Sequence, residues 1–386
     1  MIKVVQINLH KSQAASAALL LRLSKSGEDI ALIQEPWTVA NKVCGLGAKT
    51  HILVCSKSEG RPRSCILINR KLHFFMLSQF STCDITSICV EQGINKVWIT
   101  SIYEAYDRLG PSSELQRLAE AASNGKTPLI VGGDINAHHT IWGSSDINER
   151  GESYFQFILT VDLEICNQGS SPTFSTSKRE EVLDVTLASQ SIKSNILNWR
   201  VSEQYSFSDH TYIEFTIESH ATPKVVPRNF KKTDWLKYKN IAHEKLKSVP
   251  ELGEADPQTI DEHIAIFTHS LNEALDQCCP PSKSSAKTKP PWWTHELKTL
   301  QKEARKLFNQ AKKSKLNEDW LLYKSSLKKY KSALRNSKRK SWADFCSEIE
   351  NTSDIGRLRK MLSSSPTYTC SLKKYIGSVS VHGKTC

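Results

Sequence analysis

The chain has 386 residues, of which 39% are hydrophobic and 24% are charged, an ordinary balance for a globular protein long enough for two domains. It contains no long uncharged apolar run, so neither a membrane span nor a secretory signal is expected. The 11 cysteines follow no regular spacing, and the adjacent pair Cys278-Cys279 lacks the intervening residues of a zinc knuckle. We therefore expect buried thiols in a reducing compartment.

Charge is distributed unevenly along the chain. Residues 1–220 contain 20 basic and 23 acidic side chains, a net charge of −3, whereas residues 221–386 contain 32 and 17, a net charge of +15. This asymmetry indicates a catalytic domain followed by a segment that binds a polyanion. The alternative is a lysine-rich helical surface that is merely solvated.

The first 220 residues alternate short β-type runs with a few helical stretches. Strands are predicted at Ile2–Leu9, Ile30–Gln34, Ile52–Ser56, Cys65–Ile68, Ile85–Glu91, Val97–Tyr103, Pro128–Gly133, Asp184–Ala188, Asn198–Ser202 and Tyr212–Ile217. Helices are predicted at Ser16–Ser26, Ser113–Ser123 and Glu152–Val161. Many strands with few helices predict an α/β (α+β) sandwich of two β-sheets, with chemistry at the strand ends.

The periodicity changes after residue 220, where a mostly α-helical basic C-terminal region is expected. Residues 219–233 are typical of a linker, and 279–291 of an extended proline- and lysine-rich connector. Helices are predicted at Trp235–Leu246 and Thr259–Cys278, followed by one long helix or a helical hairpin from Thr294 to about Ser347. We divide the chain into a catalytic domain at 1–220, a linker with short helices at 221–290 and a basic helical segment at 291–386; no element is predicted after Ser363.

Acidic and amide side chains follow several of the predicted strands. Cleavage of a phosphodiester needs a cation on the phosphate, a group that prepares water and a group that stabilises the leaving oxygen. Together with one histidine, these side chains offer all three. The candidates are Asn8, Glu35, Asp134, Asn136, Asp184, Asp209 and His210.

Asp134 and Asn136 follow a buried strand that breaks at two glycines, and period-2 alternation places both on one side. Asp134 is a candidate for orienting or deprotonating water, and Asn136 for donating to a phosphate oxygen; the alternative is an ordinary turn. Glu35 ends a strand and is a natural ligand for Mg²⁺, with Asn8 beside it. Taken alone, either residue is better explained as a loop side chain.

Asp209 and His210 form the last candidate pair. A histidine can transfer protons near neutral pH or donate to charge on a phosphate. Asp184 interrupts an apolar strand and is the candidate for orienting that imidazole; the alternative is a capped turn at Ser208-Asp209. Adjacent His138 and His139 point apart on a strand, so joint metal ligation is not expected.

In this order, Gln34-Glu35, Gly133–Asn136 and Ser208–His210 resemble the endonuclease/exonuclease/phosphatase superfamily. Further motifs narrow the resemblance to the apurinic-endonuclease-like domain of insect-type non-LTR (LINE-type) retrotransposons. These motifs lie at 136–143, 148–151, 172–174 and 183–188. The resemblance to that domain extends over residues 1–220. The resemblance implies a four-layer sandwich. It also implies that the segment around Trp292-Trp293 precedes a reverse transcriptase.

The resemblance also implies roles for individual positions. Glu35, with Asn8 or Asp209, would bind Mg²⁺ or Mn²⁺, whereas Asp134 and Asn136 would position the nucleophile and contact the phosphate. Asp209 and His210 would form the terminal catalytic pair, with Asp184 orienting the histidine and Tyr103 near the scissile phosphate. Position 10 departs from repair-type relatives, because His10 stands where they have a carboxylate near the metal.

We therefore expect a Mg²⁺-dependent endonuclease that nicks DNA to give a 3′-hydroxyl primer for reverse transcription. The expected partners are substrate DNA and element RNA held by the basic region, without a membrane, in a nuclear location. No Asp-Asp dipeptide occurs in the chain, so we expect no polymerase active site and a truncated element. The alternatives are an abasic-site repair nuclease of the same fold and a catalytically silent nucleic-acid-binding remnant.

Overall fold

The computed structural model describes residues 1–56, 60–92, 95–218, 228, 230–247, 257–280, 290–349 and 355. Most of the predicted linker at 219–233, most of the connector at 279–291 and everything after Ser363 lie outside these residues. The described parts of 1–221 and 287–386 form one compact unit, and those of 222–286 form a second. The structure thus groups the C-terminal helices with the N-terminal domain, and the functional division into three segments stays a prediction.

The strands are β1 Ile2–Asn8, β2 Ile30–Gln34, β3 Thr38–Val39, β4 Lys42–Val43, β5 His51–Val54, β6 Ser64–Asn69, β7 His73–Met76, β8 Ile85–Gln92, β9 Asn95–Tyr103, β10 Leu129–Asp134, β11 Glu164–Ile165, β12 Phe174–Ser175, β13 Glu180–Glu181, β14 Asp184–Ala188, β15 Ile196–Val201 and β16 Ile213–Ile217. The helices are α1 Gln13–Ser26, α2 Ser113–Asn124, α3 Glu149–Thr160, α4 Gln190–Lys193, α5 Trp235–Leu246, α6 Pro257–Cys278, α7 His295–Ser314 and α8 Asn317–Ser347.

Two six-stranded mixed sheets form the centre of the first unit. Their strand orders are β15-β16-β1-β2-β6-β5 and β11-β14-β10-β9-β8-β7. Only the pairs β1–β2 and β9–β10 are parallel among the ladders of these two sheets. Parallel neighbours end at the same sheet edge, so side chains that follow β1 and β2, or β9 and β10, lie near one another.

Apolar side chains from the facing sides of both sheets form one core, which includes Ile30 and Leu32 of β2 and Ile99 and Ile130 of the second sheet. A second core packs α1 on the outside of the first sheet, and a third packs α2 and α3 on the outside of the second. Helix, sheet, sheet and helix therefore form four layers. The predicted fold class is confirmed.

The C-terminal helices α7 and α8 form a hairpin, which was one of the two predicted arrangements. Leu297, Ala304 and Tyr330 of this hairpin are buried in the same core as α1. The hairpin is therefore part of the first unit rather than an appended segment. Within the second unit, α5 and α6 pack together, and Lys245 Nζ lies 2.7 Å from Glu273 Oε2.

None of the helices within the described residues is long and apolar enough to cross a membrane. No disulfide joins any of the nine cysteines in the described ranges, and six of them are buried. For these cysteines, the expectation of mostly buried thiols is met.

Candidate active site

Three strands of the second sheet bring together side chains that are far apart in sequence. In the sheet register, Asp134 at the end of β10 lies opposite Tyr103 of β9 on one side and opposite Asp184 of β14 on the other. Asp134 and Asp184 are almost completely buried. The polar side chains at the ends of these apolar strands, which the sequence identified as candidates, thus meet at one sheet edge.

Asp134 receives hydrogen bonds on both carboxylate oxygens. The Asn8 amide donates to Oδ2 at 2.8 Å, and the Asn136 backbone N–H donates to Oδ1 at 3.0 Å. Burial raises the pKa of Asp134 to about 7, an effect that nearby His210 opposes and Asp184 reinforces. A carboxylate that is fixed in orientation and has a pKa near neutrality is suited to accept a proton from water.

His210 lies between two carboxylates. Its Nδ1 atom is 2.8 Å from Asp184 Oδ2, and its Nε2 atom is 3.8 Å from Asp134 Oδ2. Burial disfavours the charged imidazole, but the charge of Asp184 and its hydrogen bond prevail and raise the pKa of His210 to about 9. The imidazole is therefore cationic at neutral pH and can stabilise negative charge.

The segment that carries His210 is held by serine hydroxyls. Ser208 Oγ donates to the Asn8 carbonyl at 2.7 Å and accepts from the His210 N–H at 3.3 Å. Ser206 Oγ donates to the His210 carbonyl. The Phe174 ring packs against the imidazole with centroids 5.1 Å apart. These contacts attach the Ser208-Asp209-His210 triplet to β1 and fix its imidazole beside β14.

Asn136 and Tyr103 line the adjacent side of the site. Asn136 adopts a left-handed backbone conformation with φ +49°, and its side-chain amide donates to the Glu104 carbonyl at 3.0 Å. Burial raises the pKa of Tyr103, and Glu35 and Asp134 add to the effect, so the phenol stays protonated as a hydrogen-bond donor. The Arg63 guanidinium lies 5.2 Å from the centroid of the Tyr103 ring.

Glu35 and Asp209, two of the predicted metal ligands, are each paired with a side chain of the β1–α1 connection. Lys11 Nζ lies 2.7 Å from Glu35 Oε1, and His10 Nδ1 lies 2.9 Å from Asp209 Oδ2. The hydrogen bond from His10 lowers the pKa of Asp209, and the same bond raises the pKa of His10. Asn8, the third predicted ligand, contacts Asp134, while its Oδ1 accepts from the His10 N–H at 2.8 Å.

The residues at this edge fit a hard divalent cation. Oxygen or nitrogen atoms of Asp134, Asp184 and His210 lie within 4.8 Å of one another. A protonated imidazole does not bind a metal, so the carboxylate oxygens are the candidate ligands in this set. The Asp184 Oδ1 atom is buried and has no hydrogen-bond partner within the described residues. Carboxylate and amide oxygens are the ligands that Mg²⁺ prefers. Two further carboxylates lie at this edge, those of Glu35 and Asp209, which contact Lys11 and His10.

The sequence did not predict that Lys11 contacts Glu35. It also did not predict the role of two buried amides, Gln6 of β1 and Gln34 of β2. Gln6 Nε2 donates to the Val185 carbonyl at 3.1 Å, and Gln34 Nε2 donates to Ser101 Oγ at 2.9 Å. Both amides are fully buried and connect the two sheets beneath the site. The signal was available in β1, where polar Gln6 and Asn8 alternate within an otherwise apolar strand.

The two adjacent histidines are used separately, as the sequence indicated. His138 Nδ1 lies 2.5 Å from Asp146 Oδ1, and the Arg179 guanidinium lies 2.8 Å from the opposite ring nitrogen, Nε2. The His139 ring packs against Trp142 with centroids 5.3 Å apart.

The α7–α8 hairpin packs against the segment that precedes the candidate pair Asp209-His210. Tyr330 is fully buried, and its ring lies 4.7 Å from that of Phe207, measured between centroids. The hydroxyl groups of Tyr205 and Tyr323 form a hydrogen bond. Lys312 Nζ lies 3.3 Å from Glu180 Oε1 of β13. Asp209 and His210 therefore follow directly after residues that the hairpin covers.

Comparison with known proteins agrees with this geometry. The family described as "Endonuclease-reverse transcriptase" matches residues 98–214. A 115 kDa protein of the type-1 retrotransposable element R1DM of Drosophila melanogaster is 24% identical over 332 residues, 80% of this chain and 31% of that protein. The Pol polyprotein of the type-1 element R1 of Bradysia coprophila is 23% identical over 302 residues, 72% of this chain and 30% of that protein. The chain thus spans about a third of the length of these curated relatives.

Among solved structures, the endonuclease domain of TRAS1, a telomere-specific non-LTR retrotransposon, superposes with a TM-score of 0.51 and 26% identity. The match covers 57% of this chain and 100% of that domain. The resemblance predicted from the sequence is confirmed by these findings.

Proposed function

We propose, from the premise that the N-terminal domain is an apurinic-endonuclease-like domain of a non-LTR retrotransposon, that the chain nicks one strand of target DNA. The nick would leave a 3′-hydroxyl that primes reverse transcription of the element. The single observation that carries this proposal is the buried arrangement of Asp134, His210 and Asp184, in which one imidazole lies between two carboxylates.

The arrangement supports in-line attack of water on phosphorus. Asp134 accepts the proton of the water, and its carboxylate is held in place by Asn8 and by the Asn136 N–H. Asp184 accepts from Nδ1–H of His210, which turns Nε2 towards Asp134 and the phosphate. The cationic imidazole then donates to the charge that develops on the phosphate oxygens.

Asn136 and Tyr103 position the phosphate from the neighbouring strand ends. Asn136 is fixed by its bond to the Glu104 carbonyl, and the Tyr103 phenol remains a donor at physiological pH. A bound Mg²⁺, held by Glu35 with Asn8 or Asp209, would supply positive charge for the leaving 3′-oxygen. Mn²⁺ satisfies the same oxygen ligands.

The partners and location follow from the same proposal. Duplex DNA is the substrate, and the basic C-terminal region is proposed to bind nucleic acid, including element RNA. A nuclease that prepares primers in target DNA would work in the nucleus.

The test is a nicking assay with the full chain on supercoiled plasmid and Mg²⁺, with and without EDTA. We expect open-circular product that a DNA polymerase can extend, no product in EDTA, and nicking at least about 10²-fold slower with Asp134→Asn. Nicking by Asp134→Asn at the wild-type rate would overturn the assignment. Faster cleavage of an abasic-site duplex than of intact DNA would favour repair, and DNA binding without any nicking would favour a silent remnant.

A further inference from the structure

The cations of α8 are concentrated on one face. Between Trp320 and Ala343 the helix carries eight lysines and arginines and no acidic residue. Five of them are spaced by four, three, four and three residues. At 100° per residue this spacing confines them to an arc of about 80°. We call this the basic face of α8, and it consists of Lys324, Lys328, Lys331, Arg335 and Lys338.

The basic face adjoins the buried side of the same helix. Tyr323, Tyr330 and Leu334 are buried against the first unit and lie about 100° around the helix from the middle of the basic face. Lys324, Lys328 and Arg335 are exposed, whereas Lys331 and Lys338 on the inner edge are half-buried. The face is therefore held at a fixed angle to the domain by an anchored helix.

The basic face lies close to the candidate active site. Tyr330 packs on Phe207, two residues before Asp209. The next residue, Lys331, is close enough to contribute to the low pKa of Asp209, after the larger effect of the His10 hydrogen bond. The basic face is thus continuous with the segment that carries the catalytic pair.

These cations lack acidic partners. Among the residues that the structure describes, none of the five forms an ion pair with a carboxylate. Lys338 instead lies 4.8 Å from the Trp292 ring centroid. Five aligned cations without counter-charges repel one another, and a polyanion relieves that repulsion.

We propose that the basic face of α8 binds the phosphates of the duplex that the domain cuts, so that α7–α8 is part of the DNA-binding surface of the endonuclease. This inference rests on the proposed function for the identity of the polyanion. Residues 324 to 338 span about 21 Å along the helix, the length of about six base pairs. DNA is favoured over RNA because the face is continuous with the site that takes DNA as substrate.

The experiment compares two doubly substituted full-length chains that lose the same charge from the same helix. Lys324→Gln/Lys328→Gln alters the basic face, and Lys329→Gln/Lys340→Gln alters exposed lysines more than 100° away. Binding to an intact duplex of about 30 base pairs is measured in EDTA at salt concentrations from about 50 to 200 mM. Circular dichroism checks that both variants keep the helical content of wild type.

We expect the basic-face variant to bind about ten-fold more weakly than wild type at about 100 mM salt, with a salt slope reduced by about two. The control should lose less than about two-fold. Equal losses in both variants would overturn the proposal, as would a larger loss for a single-stranded RNA of the same length than for the duplex. Because binding is measured without cleavage, failure of wild type to nick plasmid would count against the proposed function and not against this surface.

Discussion

The Nδ1 atom of His210 lies 2.8 Å from Oδ2 of Asp184, and the opposite ring nitrogen faces Asp134 at 3.8 Å. All three side chains are buried. A buried cation between two carboxylates is stable only while the geometry is maintained, because each charge is solvated mainly by the others. Both the proposed chemistry and the pH dependence of stability follow from this relationship.

Replacement of His210 by alanine should abolish most of the activity. The variant loses the group that donates to the phosphate, and proton-transfer and charge-stabilising groups of this kind contribute about 10²- to 10⁴-fold in rate. Nicking of supercoiled plasmid at saturating Mg²⁺ measures the effect. The matched control is His73→Ala, since His73 is an exposed histidine on β7. A His210→Ala rate equal to that of the control would remove His210 from the mechanism.

Asp184→Asn should destabilise the protein more in mild acid than in base. Asp184 helps to raise the pKa of His210 from its ordinary 6.5 to about 9. A raised pKa contributes stability that is fully present below about pH 6.5 and is lost as the pH rises through about 9. The variant should therefore lose about 2 kcal/mol at pH 6 and clearly less at pH 9.5. Urea unfolding at both pH values measures this, with exposed Asp162→Asn as the control.

Much of the fold and part of the site could be predicted from local pattern. Asn8 and Asp134 were identifiable because each ends a mostly apolar strand, and strand ends are where catalytic side chains are positioned. The contact between Asn8 and Asp134 depends on how the two sheets pack, and local periodicity carries no information about the distance between residues on different sheets. The family resemblance, rather than the local pattern, indicated that these candidate residues belong to one site.

The ion pairs at Glu35 and Asp209 were out of reach of the sequence. His10, Lys11 and Glu35 have φ values of +44°, +55° and +43°, and these left-handed conformations depend on tertiary contacts rather than on residue type. The docking of α8 was equally hidden. Its apolar stripe was visible, but an amphipathic stripe does not identify its partner, and here the partner includes Tyr205 and Phe207 from more than 100 residues earlier.

Asp134→Asn should stabilise the fold while removing activity. Burial, reinforced by Asp184 and opposed by His210, raises the pKa of Asp134 to about 7 from an ordinary value of 3.8. The favourable contribution of the protonated acid is present below about pH 3.8 and is lost as the pH rises through about 7. At pH 8 the neutral amide relieves the cost of the buried charge, which is about 4 kcal/mol for this pKa difference. Its NH2 group must, however, face either the Asn8 amide or the Asn136 N–H, each of which donates to the carboxylate, so the net gain in the free energy of unfolding should be only about 1–2 kcal/mol.

The same Asp134→Asn chain should nick at least about 10²-fold more slowly than wild type, because an amide does not accept the proton of water. Chemical unfolding and plasmid nicking on one preparation separate the two effects. Exposed Asp107→Asn serves as the control and should change neither quantity. Destabilisation of Asp134→Asn at pH 8 would contradict the assigned cost of the buried charge.

His10→Asp should reduce the Mg²⁺ concentration needed for nicking. His10 interacts electrostatically with both Asp209 and Glu35, so its cationic form competes with a metal for those carboxylates. The substitution removes the competitor and adds an oxygen ligand. We expect the half-saturating Mg²⁺ concentration to fall about ten-fold. His10→Gln removes the imidazole without adding a carboxylate, so its half-saturating Mg²⁺ concentration should lie between those of wild type and His10→Asp. An unchanged or higher Mg²⁺ requirement for His10→Asp would place the metal away from this residue.

Substitutions of Tyr330 should separate packing from hydrogen bonding in the hairpin contact. Tyr330→Ala removes a fully buried ring from Phe207 and should cost about 3 kcal/mol of folding free energy. Nicking at temperatures where the variant remains folded should also fall, because Phe207 lies two residues before Asp209 in the segment that carries the proposed catalytic pair. The Tyr330 hydroxyl is buried and has no hydrogen-bond partner within the described residues. Tyr330→Phe should therefore be neutral or stabilising by about 1 kcal/mol.

The control for this contact is Leu321→Ala, which truncates a side chain on the same helix that is 65% exposed. Thermal or urea unfolding should leave this control within about 0.5 kcal/mol of wild type. If Tyr330→Ala behaves like the control, the hairpin does not pack on the catalytic segment in solution. If it is destabilised but nicks normally while folded, α8 supports the fold without positioning Asp209 and His210. If Tyr330→Ala loses both stability and nicking while Tyr330→Phe keeps both, the ring of Tyr330 connects the C-terminal helices to the site.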